Sequence, residues 1–422
     1  MERTLEQWLD YQLRTHPLQI AMGLERVRAV HERLSCARPG ALVVTVGGTN
    51  GKGSTVAFVE AIARAAGVRT GAFTSPHLLR YNERIRIDGR DVDDAALVVV
   101  FERIEAARGD IPLTYFEFGT LAALLLFADA RLDLAILEVG LGGRLDAVNI
   151  VDADVAVLTT VDLDHQEYLG HDRETIGAEK AGIFRAGRPC VLGEPDPPSS
   201  VLAHAYRIGA PAIRAQADYL FERHGRHWTW REPGFEIELP VPALDAPAQL
   251  ANAASAIAAL RALPLDIANA ALRKGVADAQ AGGRLQQLGV APEVIADVAH
   301  NPQAARQLAA WLDQHPRPTH AVFAALNDKD VDAVVAELDG EIAHWHLAGI
   351  EDAGPRNLSG LQLAERLAGR IASTHRSVHG TVAEALQSAR TAAGAGGRVL
   401  VFGSFHTVAD ALRAVGAEAQ RV

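Results

Sequence analysis

GGTNGKGST, at residues 47–55, is the most informative stretch of this sequence. The apolar run Leu42–Val46 leads directly into it, and a helical pattern follows at once. In a turn between a strand and a helix, glycines let the backbone approach an anion, and the amides and the helix dipole attract it. Lys52 adds a positive charge for phosphate oxygens. The stretch therefore predicts a nucleotide-binding loop made of Gly48, Thr49, Asn50, Gly51, Lys52, Gly53 and Ser54.

The loop departs from the common GxxxxGK[ST] pattern in two places. Val46 stands where the first glycine is usual, and Gly53 is inserted between the lysine and the hydroxyl residue. A glycine-rich turn with an unrelated lysine would be the simpler interpretation of a single GxG. Four glycines, a lysine and three hydroxyl residues directly behind a strand favour nucleotide binding instead.

The composition of the chain limits the kind of protein it can be. It has 422 residues, a formal net charge of −11 and two cysteines, Cys36 and Cys190, outside any CxxC pattern. An acidic chain is a poor nucleic-acid binder, because phosphate backbones require surplus Lys and Arg. The first residues lack an apolar signal-peptide core, and the apolar stretch at 121–130 is too short to span a membrane. We therefore expect a cytoplasmic protein that binds neither membranes nor nucleic acids.

Apolar runs of strand length alternate with helix-length segments along the chain. Strands are predicted at Leu42–Gly47, Thr70–Thr74, Leu134–Val139, Asp154–Thr160 and Pro189–Leu192. Helices are predicted at Gly53–Ala66, Asp93–Ala107, Phe116–Ala130, Asp172–Phe184 and Ala248–Leu263. Apolar strands joined by helices indicate an α/β fold with a mainly parallel sheet flanked by helices. Ile85–Asp88 and Trp228–Leu239 look like antiparallel pieces at the edge of this sheet.

A second α/β series begins near Glu293. Its predicted strands are Val294–Asp297, His320–Leu326, Ala343–Leu347 and Arg398–Gly403, with helices at Pro302–His315, Val331–Asp339, Gly360–Ala368 and Val382–Ala393. Glycine, proline and a change of pattern coincide at residues 280–292. We therefore expect two domains, a P-loop domain at residues 1–285 and a smaller Rossmann-like α/β domain at residues 286–422.

Several polar residues follow predicted strands, at the end where ligands bind in parallel sheets. Glu138 ends an apolar run, where a carboxylate is costly unless it is paired or bound to a hard cation; it could also cap the following turn. From the residues alone, Ser75 is a loop hydroxyl that caps a helix or forms a turn. A lone histidine such as His165 is more often structural, and Asp162 and Asp164 are equally good candidates.

Seven short sequence motifs follow one another along nearly the whole chain. They are GTNGKGS in the phosphate loop, SPHL at 75–78, LEVGLGGRLDA at 137–147, DHQEYLG at 164–170, EKAGIFR at 179–185, DVAHNP at 297–302 and FGSFHTV at 402–408. Together they resemble the folylpolyglutamate synthase family of the Mur-ligase group, and most closely its bacterial members with both dihydrofolate synthase and folylpolyglutamate synthase activity. Seven motifs in register are far more specific than any one of them.

The resemblance implies a metal-dependent site. Ser75, Glu138 and His165 would hold Mg²⁺, although imidazole is an unusual ligand for this ion. Lys180, which composition alone would make a surface lysine, would be carbamylated and would help to hold a second Mg²⁺ ion. Lys52, Lys180 and His165 would be the catalytic residues.

The resemblance also implies how the substrates bind. Asn252, Arg284 and Asp297 would contact ATP, and His300 lies close to Asp297 in sequence. Residues 1–285 would hold ATP and the pterin, and residues 286–422 would complete the ligase. Tyr115 and Phe116 suit a flat heterocycle by stacking, or else they are ordinary core residues at a helix start. The implied pterin contacts are His16, Pro17, Leu18, Gln19, Thr114, Tyr115 and Phe116, with HPLQ at 16–19 less distinctive than the MGLERV that follows.

The implied reaction is ATP-dependent amide formation. L-glutamate would be added to 7,8-dihydropteroate, and to tetrahydrofolate glutamates, through an acyl phosphate with release of ADP and phosphate. The resemblance implies a monomer acting on small molecules. Three alternatives stay open: a synthase with the polyglutamate activity alone, a ligase for UDP-muramyl peptides, and a nucleotide switch or motor ATPase. SPHL and LEVGLGGRLDA argue against the second, and DVAHNP with a second α/β domain against the third.

Overall fold

The structure, a computed structural model, describes residues 3–16, 18, 20–243, 246–350 and 354–419. The chain forms two compact units, Met1–Ala243 with Gln249–Gln280, and Leu244–Ala248 with Ala281–Val422. No helix in the described ranges is long and apolar enough to cross a membrane.

Eleven strands precede residue 280 in the described part of the chain. They are β1 Gly40–Gly47, β2 Thr70–Phe73, β3 Ile85–Ile87, β4 Arg90–Asp91, β5 Leu132–Glu138, β6 Val155–Leu158, β7 Cys190–Leu192, β8 Ala212–Arg214, β9 Leu220–His224, β10 His227–Glu232 and β11 Phe235–Pro240. The helices are α1 Leu5–Thr15, α2 Glu25–Leu34, α3 Lys52–Ala65, α4 Asp94–Arg108, α5 Tyr115–Ala130, α6 Gln166–Leu169, α7 Arg173–Lys180, α8 Ser199–Ile208, α9 Pro247–Arg261 and α10 Asn269–Asp278.

The main sheet of the first unit has eight strands in the order β4-β3-β2-β5-β1-β6-β7-β8. All pairs from β2 to β8 are parallel, and β3 and β4 are antiparallel to their neighbours. Strand β1 is central, and Val43, Val44 and Val46 are fully buried. The mainly parallel α/β sheet is therefore confirmed, and so is the antiparallel strand at Ile85–Ile87. Glu138 and the phosphate loop lie at the same edge, because β1 and β5 end side by side.

The prediction for Trp228–Leu239 is wrong in its placement. These residues form β10 and β11 of a separate three-stranded antiparallel sheet, β11-β10-β9, and not an edge of the main sheet. The alternate residues Trp228 and Trp230 are fully buried, and Trp230 Nε1 donates to the Ala254 carbonyl of α9 at 3.1 Å. The sheet buries its apolar face against α9. The alternating pattern predicts strands, but it does not specify which distant element they pack against.

Several elements have no counterpart among the predicted ones. Helix α10 is an example: it packs on α3, the helix that begins at the phosphate loop, through Gly275. A Cβ atom at this position would lie 2.4 Å from the Ile62 Cα atom. The glycine is needed for close packing between helices, a requirement that hydrophobic periodicity does not reveal.

The second unit is a smaller α/β domain. Its strands are β12 Gln286–Val290, β13 Glu293–Asp297, β14 Thr319–Phe323, β15 His344–Gly349, β16 Arg376–Thr381 and β17 Arg398–Phe402. Its helices are α11 Pro302–Gln314, α12 Val331–Ala336, α13 Gly360–Arg366, α14 Val382–Ala393 and α15 Phe405–Ala419. The strand order is β12-β13-β17-β14-β15-β16, with β12 antiparallel. The main segment of this unit begins at Ala281, which lies within residues 280–292, where the sequence pattern changes. Val298 N donates to Gly283 O and ties the start of the segment to the end of β13.

Four histidines lie on adjacent strands of the second sheet. His320 Nδ1 lies 3.2 Å from His346 Nε2, and His346 Nδ1 lies 3.3 Å from His379 Nε2. The His344 ring lies 4.9 Å from that of His346, which is almost fully buried. Burial, and then the neighbouring histidines, lower the pKa of His346 to about 3. Burial also lowers the pKa of the other three histidines.

This histidine cluster predicts that acid weakens the second unit. Below about pH 6.5 these histidines are protonated in the unfolded chain but stay largely neutral in the folded protein, because their pKa values are lowered there. The unfolded state therefore binds more protons, and the free energy of unfolding falls as the pH drops. Urea unfolding at about pH 7.5 and about pH 5.5 measures this change. His346→Gln should reduce the pH dependence, whereas substitution of the exposed His224 should leave it unchanged. If the folded cluster took up protons as readily as the unfolded chain, the free energy of unfolding would depend on pH equally in His346→Gln and in the His224 variant, which would contradict this prediction.

Candidate functional site

The phosphate loop between β1 and α3 has a conformation that requires its glycines. Gly48 has a φ of +146° and Gly51 a φ of +88°. A Cβ atom at Gly48 would lie 1.9 Å from Thr159 Oγ1, and one at Gly51 would lie 2.4 Å from Asn252 Oδ1. Asn252, predicted to contact ATP, therefore packs directly against the loop.

The end of β6 holds the loop in place. Thr49 N donates to Thr160 O at 2.7 Å, and Asn50 N donates to Thr160 Oγ1 at 3.1 Å. Thr159 Oγ1 donates to Asn50 O at 2.6 Å, and Thr49 Oγ1 to Asp162 O at 3.1 Å. Thr159 and Thr160 were not among the predicted site residues; two hydroxyls at the end of a strand were the available signal.

Two lysines converge on one carbonyl group of the loop. Lys52 Nζ donates to Gly48 O at 3.0 Å and to Thr49 O at 3.1 Å, and Lys180 Nζ donates to the same Gly48 O at 3.0 Å. Lys180 is buried, so composition alone misplaces it as a surface residue. Burial, followed by the charge of Lys52, lowers the pKa of Lys180 to about 7, against the opposing effect of Asp164 and Asp146.

Glu138 and Ser75 form an oxygen-rich corner beside the loop. Glu138 is buried at the end of β5, and Ser75 N donates to its Oε2 at 3.0 Å. The Glu138 oxygens lie 3.7 Å from the position of a Cβ atom on Gly53. In the first turn of α3, the hydroxyls of Ser54 and Thr55 are buried without a hydrogen-bond partner. Buried oxygens of this kind suit a hard cation or a phosphate group.

His165 lies at the start of α6 in a left-handed conformation, with a φ of +50°. Its N–H donates to Asp164 Oδ1 at 2.9 Å, and its Nε2 lies 4.0 Å from Asp164 Oδ2. Asp164 also acts on Lys180, which puts His165 in the neighbourhood of that lysine. In the described part of the chain, no three His, Cys, Asp or Glu residues cluster closely enough to hold a metal ion. A cation here would therefore need further ligands from phosphate or water.

Asp146 shapes the glycine-rich segment after β5 and was not among the predicted site residues. Leu141 N donates to its Oδ2 at 2.8 Å and Val148 N to its Oδ1 at 3.1 Å. Burial raises the pKa of Asp146 to about 7, against backbone hydrogen bonds and the charge of Lys52. Its place in the LEVGLGGRLDA motif was the signal that could have found it.

The predicted pterin residues of α5 lie at the start of that helix. Thr114 caps it through a reciprocal pair of hydrogen bonds with Glu117. Tyr115 and Phe116 are half-buried, with rings 5.6 Å and 5.7 Å from those of Tyr81 and Phe73. Both interpretations of these aromatics, stacking surface and core, are compatible with this position.

The N-terminal segment is brought to the site by residues just beyond the predicted ones. Pro17 and Gln19 lie outside the described residues, and Leu18 N donates to His16 Nδ1 at 3.0 Å. Further along, Gly23 N donates to Leu145 O at 3.4 Å. The MGLERV part of the segment thus contacts the glycine-rich segment after β5.

Arg26 ties this segment to α5. Its guanidinium lies 3.1 Å from Glu117 and donates to Ala21 O at 2.7 Å. The Glu117 side chain is 3% exposed, so the pair is largely shielded from water. The ion pair joins the segment that follows His16–Gln19 to the first turn of the helix that Thr114 caps.

The remaining predicted ATP contacts belong to the second unit. Asp297 is buried at the end of β13 and accepts hydrogen bonds from Leu285 N at 2.9 Å and Ala299 N at 2.8 Å. Burial raises the pKa of Asp297, against the charge of Arg284 and these backbone bonds. The Arg284 guanidinium lies 5.3 Å from the Phe405 ring centre. His300 Nδ1 lies 2.9 Å from Val298 O.

Comparison with known proteins places the chain in a family. The Mur ligase middle domain matches residues 46–260, and the Mur ligase, glutamate ligase domain matches residues 283–405. The dihydrofolate synthase/folylpolyglutamate synthase of Escherichia coli (strain K12) is 45% identical over 98% of this chain and 96% of that protein. E. coli FolC, solved in complex with DHPP and ADP, has a TM-score of 0.94 at 44% identity, covering 100% of this chain and 99% of that one.

A second solved structure adds a different set of ligands. It is a bifunctional folylpolyglutamate synthase/dihydrofolate synthase with Mn, AMPPNP and L-glutamate bound, with a TM-score of 0.91 at 46% identity and 98% coverage of both chains. The phosphate loop, the parallel sheet and the two matched domains define a Mur ligase. Within that group, the chain belongs to the dihydrofolate synthase/folylpolyglutamate synthase family. The family and the ADP-forming ligase class indicated by the seven motifs are confirmed, whereas the roles of individual residues stay predictions.

The Arg26–Glu117 pair predicts a measurable loss of stability. Arg26→Met leaves a buried carboxylate without its cation, which should lower the free energy of unfolding by about 1–3 kcal/mol. Urea unfolding measures it, with Arg103→Met as the matched control. The Arg103–Asp129 pair is exposed at both ends, 42% and 57%, and its loss should cost less than about 1 kcal/mol. Equal losses in the two variants would contradict a shielded pair.

Proposed function

We propose that this chain joins L-glutamate to 7,8-dihydropteroate, and to tetrahydrofolate glutamates, at the expense of ATP. The observation that carries the proposal is the convergence of Lys52 and Lys180 on Gly48 O, beside the buried carboxylate of Glu138. The arrangement offers positive charge and oxygen ligands at one strand edge, as transfer of a phosphoryl group requires. Family membership supplies the identity of the substrates.

The nucleotide would lie along the phosphate loop. The loop Gly48–Ser54 would hold its phosphates through the ammonium of Lys52 and through amides other than those of Thr49 and Asn50, which donate to Thr160. Asn252 would contact the nucleotide beside Gly51. Arg284 and Asp297 of the second unit are the further proposed ATP contacts. The unpartnered hydroxyls in the first turn of α3 support phosphate or cation binding at this position.

A divalent cation fits the corner beside the loop. We propose that Ser75, Glu138, His165 and a carbamylated Lys180 hold two Mg²⁺ ions, which neutralise phosphate charge when bound. The buried Glu138 carboxylate and the neighbouring hydroxyl oxygens are the donors that hard cations prefer. This donor set is incomplete by itself, in keeping with a cation that shares its ligands with a nucleotide.

The reaction would proceed in two displacements. A carboxylate oxygen of the acceptor attacks the γ-phosphorus of ATP, and ADP leaves, giving an acyl phosphate. The amine of glutamate then attacks the acyl carbon, expels phosphate and loses a proton. Lys52 and the loop amides would stabilise the charge that develops on the transferred group. The pterin would lie between His16–Gln19 and Thr114–Phe116, with Tyr115 and Phe116 stacking on its ring.

Phosphate release tests the function. Purified protein with ATP, Mg²⁺ and L-glutamate should release phosphate when given dihydropteroate or a tetrahydrofolate, and should release little without an acceptor. Activity with the tetrahydrofolate alone would reduce the proposal to a single activity. If no phosphate were released with either acceptor, the proposal would be refuted. Phosphate release with ATP alone would favour an ATPase.

Removal of the loop lysine or the corner carboxylate should abolish turnover in a folded protein. Lys52→Ala and Glu138→Gln should each lower kcat by about 100-fold or more, because each removes a group that stabilises charge in the transition state. Asp154→Asn is the matched control: it removes another buried carboxylate, at the opposite end of a strand, in an ion pair with Arg38. It should reduce stability and leave kcat near wild type. Wild-type kcat in Glu138→Gln would show the assignment to be wrong.

Lys180 is suited to carbamylation by its lowered pKa. With a pKa of about 7, much of its amine is neutral near neutral pH. A neutral amine can add to the carbon of CO₂ and lose a proton, which leaves an anionic carbamate. The amine is fully protonated well below its pKa, so the carbamate should be lost as the pH falls through about 7.

The carbamate can be detected directly. Protein equilibrated with ¹³C-labelled bicarbonate should give a carbamate signal in a ¹³C spectrum, absent from Lys180→Ala and retained in Lys274→Ala, a surface control. Short carboxylic acids should restore part of the activity of Lys180→Ala. A spectrum that is identical for wild type and Lys180→Ala rules out the modification.

A further inference from the structure

Arg84 is a buried cation that the proposed reaction does not yet use. It ends the short 3₁₀ turn Tyr81–Arg84, between Ser75 and β3, and only 9% of its surface is exposed. Its Nε–H donates to His77 Nδ1 at 2.8 Å. Its guanidinium carbon lies 5.5 Å from the centre of the Tyr81 ring and 5.4 Å from that of Tyr115.

The charge of Arg84 has no counter-ion. In the described ranges, no carboxylate lies within ion-pair distance of it, and nothing accepts a hydrogen bond from its two terminal nitrogens. Its neighbour Glu83 is committed elsewhere, since its carboxylate accepts the backbone N–H groups of Leu78, Leu79 and Arg80 at 2.7–2.8 Å. Arg86, two residues further on, is paired with Glu60 at 2.9 Å. Buried cations are normally paired, so Arg84 is the exception in this stretch.

The orientation of the guanidinium is fixed before any ligand binds. An arginine Nε–H can only donate, so His77 Nδ1 must accept, which leaves a neutral His77 with its proton on Nε2. The two tyrosine rings hold the planar group from the side. A guanidinium held at Nε keeps its terminal N–H groups for a second ligand, and a carboxylate matches them with two parallel hydrogen bonds.

Arg84 lies between the proposed phosphate and metal residues on one side and a proposed pterin contact on the other. The loop that leads to it begins at Ser75, whose N–H holds Glu138 beside the phosphate loop. Tyr115, on its other side, is one of the proposed pterin contacts. Dihydropteroate joins a flat pterin to a single carboxylate, and this carboxylate must reach the γ-phosphate.

We propose that Arg84 binds the reacting carboxylate of the pterin acceptor and orients it towards the phosphate loop. This inference rests on the proposed function. Arg84 acts as a binding and orienting cation: it neutralises the acceptor carboxylate through two N–H···O bonds until the oxygen attacks phosphorus. The same contact selects acceptors that carry a carboxylate at this distance from the pterin ring.

The test compares dihydropteroate with a pterin that has no carboxylate. Arg84→Met should raise KM for dihydropteroate by about 10- to 100-fold, because a charge-assisted pair is lost, while KM for ATP changes little. Inhibition by 6-hydroxymethylpterin, which lacks the carboxylate, should be the same in wild type and variant. Arg84→Lys, which keeps the charge without the planar fork, should restore part of the loss. Arg80→Met is the matched control, since Arg80 is on the same loop, pairs with Asp94 and is 67% exposed.

The outcomes separate this inference from the proposed function. Wild-type turnover with dihydropteroate tests the function, and the ratio of variant to wild type tests Arg84. An unchanged KM for dihydropteroate in Arg84→Met, with wild-type turnover intact, overturns the inference alone. Equal weakening of dihydropteroate and of 6-hydroxymethylpterin also overturns it, because it shows a collapsed pocket and no lost carboxylate contact. If Arg84→Met does not fold, Arg84→Gln and Arg84→Lys supply the same comparison.

Discussion

The carbonyl oxygen of Gly48 accepts hydrogen bonds from two ammonium groups, and the rest of the site follows from this arrangement. Lys52 and Lys180 come from the start of α3 and the end of α7, so one atom fixes two distant elements. Burial, and then the charge of Lys52, lower the pKa of Lys180. The positive charge of Lys52 at the end of β1 favours an anionic ligand there.

Local sequence signals predicted the framework of this site well. The apolar run before Gly47 became the central strand β1, and the helical pattern after it became α3, which begins at Lys52. The run that ends at Glu138 became the neighbouring strand β5. These elements are determined by hydrophobic patterning and glycine placement within a few residues, and that is why a sequence alone reveals them.

The contacts that depend on distant parts of the chain could not be predicted in this way. Lys180 looks like a surface lysine on its own helix, and only the packed loop makes it buried. Arg84 sits in an arginine-rich stretch, and nothing in the spacing distinguishes it from Arg86, which is paired. The alternating pattern at Trp228–Leu239 predicted antiparallel strands correctly but not the sheet to which they belong, because partner choice depends on α9.

Helix α9 has two contacts that are usually considered separately. Asn252 packs against Gly51 of the phosphate loop, and Ala254, two residues on, accepts the hydrogen bond from Trp230 of the small sheet. Ser255 on the same helix lies 3.1 Å from the hydroxyl of Tyr219, at the entrance to that sheet. The three-stranded sheet therefore supports the phosphate loop through α9. A substitution in the hairpins of this sheet can therefore shift Asn252 beside Gly51, and with it the conformation of the loop, without changing any residue of the loop itself.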